Sequence, residues 1–332
     1  MIRRARSQRS RALDLLWDRR SPRTGNGVLV AVENTGLEQG AMSVADLLAR
    51  RDQITAHLVV ISDSVNARHR LTPQERTDLT EGKLRRLQRS ARQLLHNAVG
   101  RGGYWTVDAA LGTVPRVLAE EAKKRRPKLV IVTLEDSSDE RLRRVEKLIH
   151  VATATDGPVL AVPAHQQQLP TRVLVPTDFG RASKRAAQAS LSLSGKGAQL
   201  TLLHVEPELD YDALGHPEWR EANVEGVEKL FVQFRHELQE SAAATEGQGS
   251  LTIDSRLLRG EPARAILDYA ESDSSDLIVM GVPRVPHPIR PESVAMAILR
   301  DARSAILIAP ASELWESWGR TMARPRARAS RK

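Results

Sequence analysis

Val28-Leu29-Val30-Ala31-Val32-Glu33 returns 145 residues later as Val173-Leu174-Val175-Pro176-Thr177-Asp178. The echo continues downstream of this pair. His57–Ile61 answers Gln199–Leu203, and Gly112 with Val117 and Leu118 answers Gly260 with Ala265 and Ile266. Leu129–Val132 answers Leu277–Met280, and Pro158–Pro163 answers Ala305–Pro310. Every offset lies between 142 and 148, so the two halves are collinear copies with small insertions. The repeat predicts one domain over 26–164 and a second over 171–310. The polar stretch 165–170, ending in Pro170, is the linker between them. Residues 1–25 and 311–332 are left as tails.

The strands of each copy are short continuous apolar runs rather than alternating ones. That pattern belongs to strands buried on both faces, in a parallel sheet covered by helices. Between the runs lie helical stretches. Thr72-Pro73-Gln74-Glu75 has a capping threonine, a proline at the first helical position and a glutamate at the third. Leu79, Leu84, Leu87, Ala91, Leu94, Leu95 and Ala98 follow at helical spacing. In the second copy Pro217-Glu218 opens a helix with the stripe Val224, Val227, Leu230, Phe231, Phe234 and Leu238. The alternation of strand and helix predicts an α/β fold of two tandem doubly wound domains, each with five parallel strands.

Composition narrows the chemistry. The 332 residues contain no cysteine, which excludes disulfides, thiolate metal sites and cysteine nucleophiles. No apolar run is long enough for a transmembrane helix. Leu13, Leu15, Leu16 and Trp17 are too few for the core of a secretory signal, so the chain is expected to be cytoplasmic. The formal charge of +9 sits at the ends. Residues 1–25 hold eight arginines against two acids, and 311–332 hold six basic residues against two. Residues 26–310 retain 36 basic and 37 acidic side chains, an ordinary balance.

In order and at this spacing, these segments resemble the universal stress protein family in its tandem two-domain form. The resemblance is carried by Val173–Phe179, Ala198–Val205, Gly260-Glu261-Pro262 with Ile266, Asp276–Gly281 and Ala305–Pro310. It implies the Rossmann-like fold of the adenine nucleotide alpha-hydrolase group. It also implies, for nucleotide-binding members, an ATP site at the carboxyl ends of the strands. There an aspartate after the first strand meets the adenosine. A loop of Gly, two residues, Gly, nine residues, then Gly-Ser or Gly-Thr cradles the phosphates with backbone N–H groups.

Carried onto the second copy, the resemblance places Thr177 and Asp178 on the adenosine side and Gly281 at the first glycine. Arg284 stands at the second glycine and Ser293 at the closing serine. The loop departs from the pattern. Seven residues, not nine, separate Arg284 from Glu292-Ser293, and four prolines in the loop delete N–H donors. Glu292 sets a carboxylate where a phosphate belongs, while Arg284 and Arg290 supply cations. In the first copy Glu33 takes the aspartate position and Thr133 the glycine, followed by an acidic loop over 134–140 without glycine. Phosphate is repelled there.

Other chemistry finds little support. The nine histidines form no pair three or four residues apart, so no helical metal site is expected. His204 follows a strand and reads as a structural histidine. Gly195-Lys196-Gly197 lacks the rest of a phosphate-binding loop, and no nucleophile elbow is present. The expectation is a non-catalytic regulatory protein of the stress response that requires no cofactor and binds ATP in degraded form at most. It acts through a protein partner, with its two domains paired and a homodimer open to it. Two alternatives stand beside this: an adenine-nucleotide sensor using the second domain, and a binder of nucleic acid or anionic lipid through the basic tails.

Overall fold

The computed structural model describes residues 27–33, 36–62, 73–100, 103–134, 141–155, 157–208, 218–243, 251–282 and 293–310. Both tails, Thr72, the acidic loop 135–140 and the proline-rich loop 283–292 lie outside them. The chain divides into two compact units between Gln168 and Leu169.

The first unit runs β1 (Val28–Val32), α1 (Gln39–Asp52), β2 (Ala56–Ser62), α2 (Pro73–Val99), β3 (Trp105–Leu111), α3 (Val114–Arg125), β4 (Leu129–Leu134), α4 (Arg141–Thr155) and β5 (Val159–Pro163). Its strands are all parallel, in the order β3-β2-β1-β4-β5. Val30 sits opposite both Leu58 and Ile131, and all of β1, β4 and β5 is buried. Continuous apolar runs therefore become central strands, because both faces need apolar cover.

The second unit runs β6 (Arg172–Pro176), α5 (Arg181–Leu191), β7 (Gln199–Glu206), α6 (Glu218–Ala243), β8 (Thr252–Arg259), α7 (Pro262–Ser272), β9 (Leu277–Val282), α8 (Val294–Asp301) and β10 (Ala305–Pro310). These strands are also all parallel, ordered β8-β7-β6-β9-β10. Two doubly wound sheets with the same strand order are the α/β architecture that the repeat predicts.

Matching glycines turn the chain at matching places. Gly112 (φ 144°) and Gly260 (φ 131°) each follow the third strand of their unit in conformations that favour glycine. Each donates its N–H to the carbonyl of the second strand's last residue, Ser62 or Glu206, at 2.9 Å. The helix after each turn then starts on a proline-containing first turn.

The apolar stripes of the long helices differ from expectation at single positions. On α2, Ala91 and Leu95 are fully buried, but Leu79 is 44% exposed. On α6, Val227, Phe231, Phe234 and Leu238 are buried, whereas Leu230 is 43% exposed. Both exposed leucines lie at the margin of their stripe, where helical spacing no longer turns a side chain toward the sheet.

Candidate functional site

Parallel strands bring all their carboxyl ends to one edge, and strand order reverses direction between β6 and β9. Ligands of open α/β sheets are expected at that switch point. Thr177, Asp178 and Gly281 are gathered there in the second unit.

The turn after β6 is closed by its own side chains. Phe179 holds φ 60°, a left-handed conformation uncommon for an aromatic residue, and its N–H donates to Thr177 Oγ1 at 2.8 Å. Thr177 Oγ1 donates in turn to Ser183 Oγ at 3.1 Å. Asp178 Oδ1 accepts from the Gly180 N–H at 2.8 Å and stands 2.7 Å from Ser183 Oγ. Burial pushes the Asp178 carboxyl up. The Ser183 hydroxyl, the Gly180 and Asp178 N–H groups and nearby His204 outweigh this and hold it below the usual carboxylate range.

An aromatic group backs the turn. His204 Nδ1 lies 2.7 Å from the Thr177 carbonyl, which accepts only, so Nδ1 carries the proton. The Phe179 ring packs against His204 at 4.9 Å and edge-on to Phe231 at 5.1 Å. Behind it Lys184 bonds both oxygens of Glu237 at 3.0 Å and sits 5.5 Å from the Phe234 ring.

Gly281 has a packing reason to be glycine. A Cβ there would stand 2.3 Å from the backbone carbonyl carbon and oxygen of Ala182 and 2.7 Å from the Ser183 nitrogen. Strand β9 thus meets the start of α5 backbone to backbone, and Gly281 and Asp178 come together through Ser183. Ser293 caps α8, its Oγ accepting the Met296 N–H at 3.3 Å. Arg284, with the rest of loop 283–292, lies outside the described residues.

The neighbouring helix end is also taken. Glu261 caps α7, accepting the N–H groups of Ala263 at 3.0 Å and Arg264 at 2.8 Å. A helix N-terminus is where an anion would otherwise bind, and here the chain supplies its own carboxylate. Beside it the buried Glu206 accepts from Asn223 at 2.6 Å, with Arg259 at 3.9 Å.

The first unit's edge is built differently. Glu33 is exposed and pairs with Lys147 of α4. Thr133 is 9% exposed at the end of β4, and its buried hydroxyl has no hydrogen-bond partner among the described residues.

At the opposite, amino edge of this unit lies a polar cluster that sequence reasoning missed. His57 is 4% exposed; its Nδ1 is 2.7 Å from Thr106 Oγ1 and 3.0 Å from Arg125 Nη1. Arg125 also pairs with Glu121 and Asp108. Burial first, then the Arg125 charge, push His57 down to about 4, so the ring is neutral with its proton on Nε2. Nothing in the spacing of His57, Thr106, Asp108 and Arg125 announces this cluster, because strand pairing and the end of α3 assemble it. Ser183 and Glu261 were legible in principle, as a serine five residues after the aspartate and an acid directly before a helix-opening proline.

A doubly wound parallel sheet with a polar turn at its switch point defines a Rossmann-like domain of the adenine nucleotide alpha-hydrolase kind. The comparisons place the chain more closely. A model of the Universal stress protein family matches residues 170–310. A curated relative from Thermus aquaticus, the universal stress protein in the QAH/OAS sulfhydrylase 3′ region, is 38% identical over 104 residues. That match covers 30% of this chain and 67% of the relative. The solved structure of a universal stress protein from Archaeoglobus fulgidus is similar with a TM-score of 0.57 at 14% identity. It covers 87% of this chain and 100% of its own. A functionally unknown protein from Pseudomonas aeruginosa is similar at a TM-score of 0.52 and 14% identity, over 91% of this chain and 98% of its own. The chain belongs to the universal stress protein family. Its second unit is the part matched by the family model. Among the described residues no helix is long and apolar enough to cross a membrane.

Proposed function

We propose that this universal stress protein is a non-catalytic regulator of the stress response that works through a protein partner in the cytosol, with nucleotide binding degraded in its second unit and lost in its first. The observation that carries the reading is the self-satisfied edge of the second unit. Asp178 Oδ1 is committed to Gly180 and Ser183, Ser293 to Met296, and the start of α7 to Glu261. Groups that a nucleotide would need for its adenosine and phosphates are already bonded within the chain, so they fit ATP poorly. Displacing any of them exchanges one hydrogen bond for another, with little net gain. In the first unit the Glu33–Lys147 pair and the glycine-free, acidic sequence after Thr133 argue in the same direction.

A thermal-shift titration with Mg-ATP to millimolar concentration tests this. A ligand at one hundred times its dissociation constant adds about 2.7 kcal/mol of stability, which raises the melting temperature by several degrees. No shift is expected. A clear shift that Asp178→Ala reduces would overturn the reading in favour of a nucleotide sensor. If none appears, capture of a protein partner is the next step.

A further inference from the structure

The long helices α2 and α6 hold the same place in their units, after the second strand and before the third, yet carry opposite charge. Over 78–99, α2 has Lys83, Arg85, Arg86, Arg89 and Arg92 against Asp78 and Glu81, a net of +3. Over 221–243, α6 has Glu221, Glu225, Glu228, Glu237 and Glu240 against Lys229 and Arg235, a net of −3. From Lys83 to the end of α2 there is no acidic residue at all.

Each helix also exposes large apolar side chains beside its charges. Leu79 of α2 is 44% exposed and lies on one flank with Lys83 and Arg86, four and seven residues on. Val232 of α6 is 56% exposed and continues the stripe Glu221, Glu225, Glu228, while Leu230, 43% exposed, lies on the opposite flank of the helix. Among the described residues only Leu37 and Leu47 are otherwise exposed to a comparable degree. A third observation is independent of these. Gly82 stands inside α2 on the same flank as Leu79 and Arg86, and among the described residues a Cβ on it would meet nothing within 4 Å. A glycine inside a helix costs about 1 kcal/mol relative to alanine. Among the described residues nothing requires it there, whereas a second helix packed closely against α2 would.

We infer that α2 of one chain docks on α6 of a second copy, with arginines facing glutamates around the exposed Leu79 and Val232. The occupant is a second copy because this chain itself displays the complementary surface. Each helix is about 40 Å long. A single helix pair covers less than the roughly 800 Å² per partner of a standard interface. The association is therefore weak, concentration-dependent and sensitive to salt, since exposed charges are screened beyond a Debye length of ~10 Å at 0.1 M.

Sedimentation velocity of the full chain over a wide concentration series, at low and at high salt, tests this. We expect the average mass to rise with concentration at low salt and to fall toward the monomer at high salt. Arg86→Glu and Glu228→Arg should each weaken association at least about tenfold through like-charge contact. The double variant should restore it, which a folding defect would not do, and an effect of net charge alone would move the two single variants in opposite directions. A chain monomeric throughout, or an oligomer indifferent to both substitutions, overturns the proposal. So does Arg86→Glu lowering retention on DNA while leaving the mass series unchanged, which would make α2 a polyanion surface instead.

Discussion

Ser183 Oγ lies 2.7 Å from Oδ1 of Asp178, and the same hydroxyl accepts from Thr177. Asp178 is thereby a structural brace, tying the end of β6 to the first turn of α5. Oriented by the N–H of Gly180 and by Ser183, it is kept ionised at the cost of being engaged.

Ser183→Ala removes the strongest bond holding Asp178 in its charged form, so the carboxyl should titrate at higher pH than in the parent. Because the folded value is depressed, the brace is fully present above the ordinary carboxylate range and is lost as pH falls through the folded value. A carboxyl-resolved NMR titration of parent and variant reads the shift directly. An unchanged titration would mean that Ser183 donates to the Gly180 carbonyl, 3.0 Å away, instead.

His57 supplies a second dependence on pH, of opposite chemical kind. Its value falls from 6.5 to about 4 on folding, so between those limits the unfolded chain binds the proton and the folded chain does not. Stability is complete above 6.5 and declines as pH drops toward 4. After allowance for solvent screening the loss is on the order of 1–2 kcal/mol. Thermal melts of parent and His57→Gln at neutral pH and near pH 5 should diverge, with the parent losing more. Parallel losses would remove His57 as the cause.

Two glycines should answer alanine with opposite signs. Gly281→Ala drives a methyl into the Ala182 carbonyl, which is backbone and cannot swing aside. A loss of about 3 kcal/mol or more follows from overpacking of this kind. Gly82→Ala meets open space on a helix and should stabilise the monomer by up to about 1 kcal/mol. Denaturant melts of the two variants decide both, and a neutral Gly281→Ala would contradict the close approach of β9 and α5.

Glu261→Ala should cost about 1 kcal/mol, the usual worth of a helix cap, because the N–H groups of Ala263 and Arg264 lose their acceptor. Glu261→Asp, which can still cap, should recover part of it. Chemical denaturation gives the comparison. Equal losses in both variants would place the contribution of Glu261 elsewhere than the cap.

Much of the architecture is legible in the sequence. Continuous runs such as Leu129–Val132 admit one environment, a strand covered on both faces, and their repetition in order dictates the same topology twice. The turn glycines Gly112 and Gly260 were legible for the same reason: few residues tolerate the positive φ found there. The site was legible only as positions. Thr177, Asp178, Gly281 and Ser293 were named from the resemblance, but their partners Ser183, Ala182 and Met296 were not. Periodicity reports only which face an element buries; it does not say which nearby hydroxyl or N–H a turn or capping side chain takes, nor, for Gly281 and Ala182, where separate elements meet.

The sequence by itself determined the repeat, the parallel α/β class, the absence of thiol chemistry and the opposed charges of α2 and α6. These depend on residue type and spacing along the chain, which folding does not alter. Only the tertiary structure decided that Asp178 is braced by Ser183, that Gly281 is needed for helix packing, and that His57 is neutral beside Arg125. It also decided that Leu79, Leu230 and Val232 face outward. The Gly281 and His57 contacts depend on distances between segments remote in sequence, and the Asp178–Ser183 brace on how β6 turns into α5; both are set by how the sheet and its helices pack.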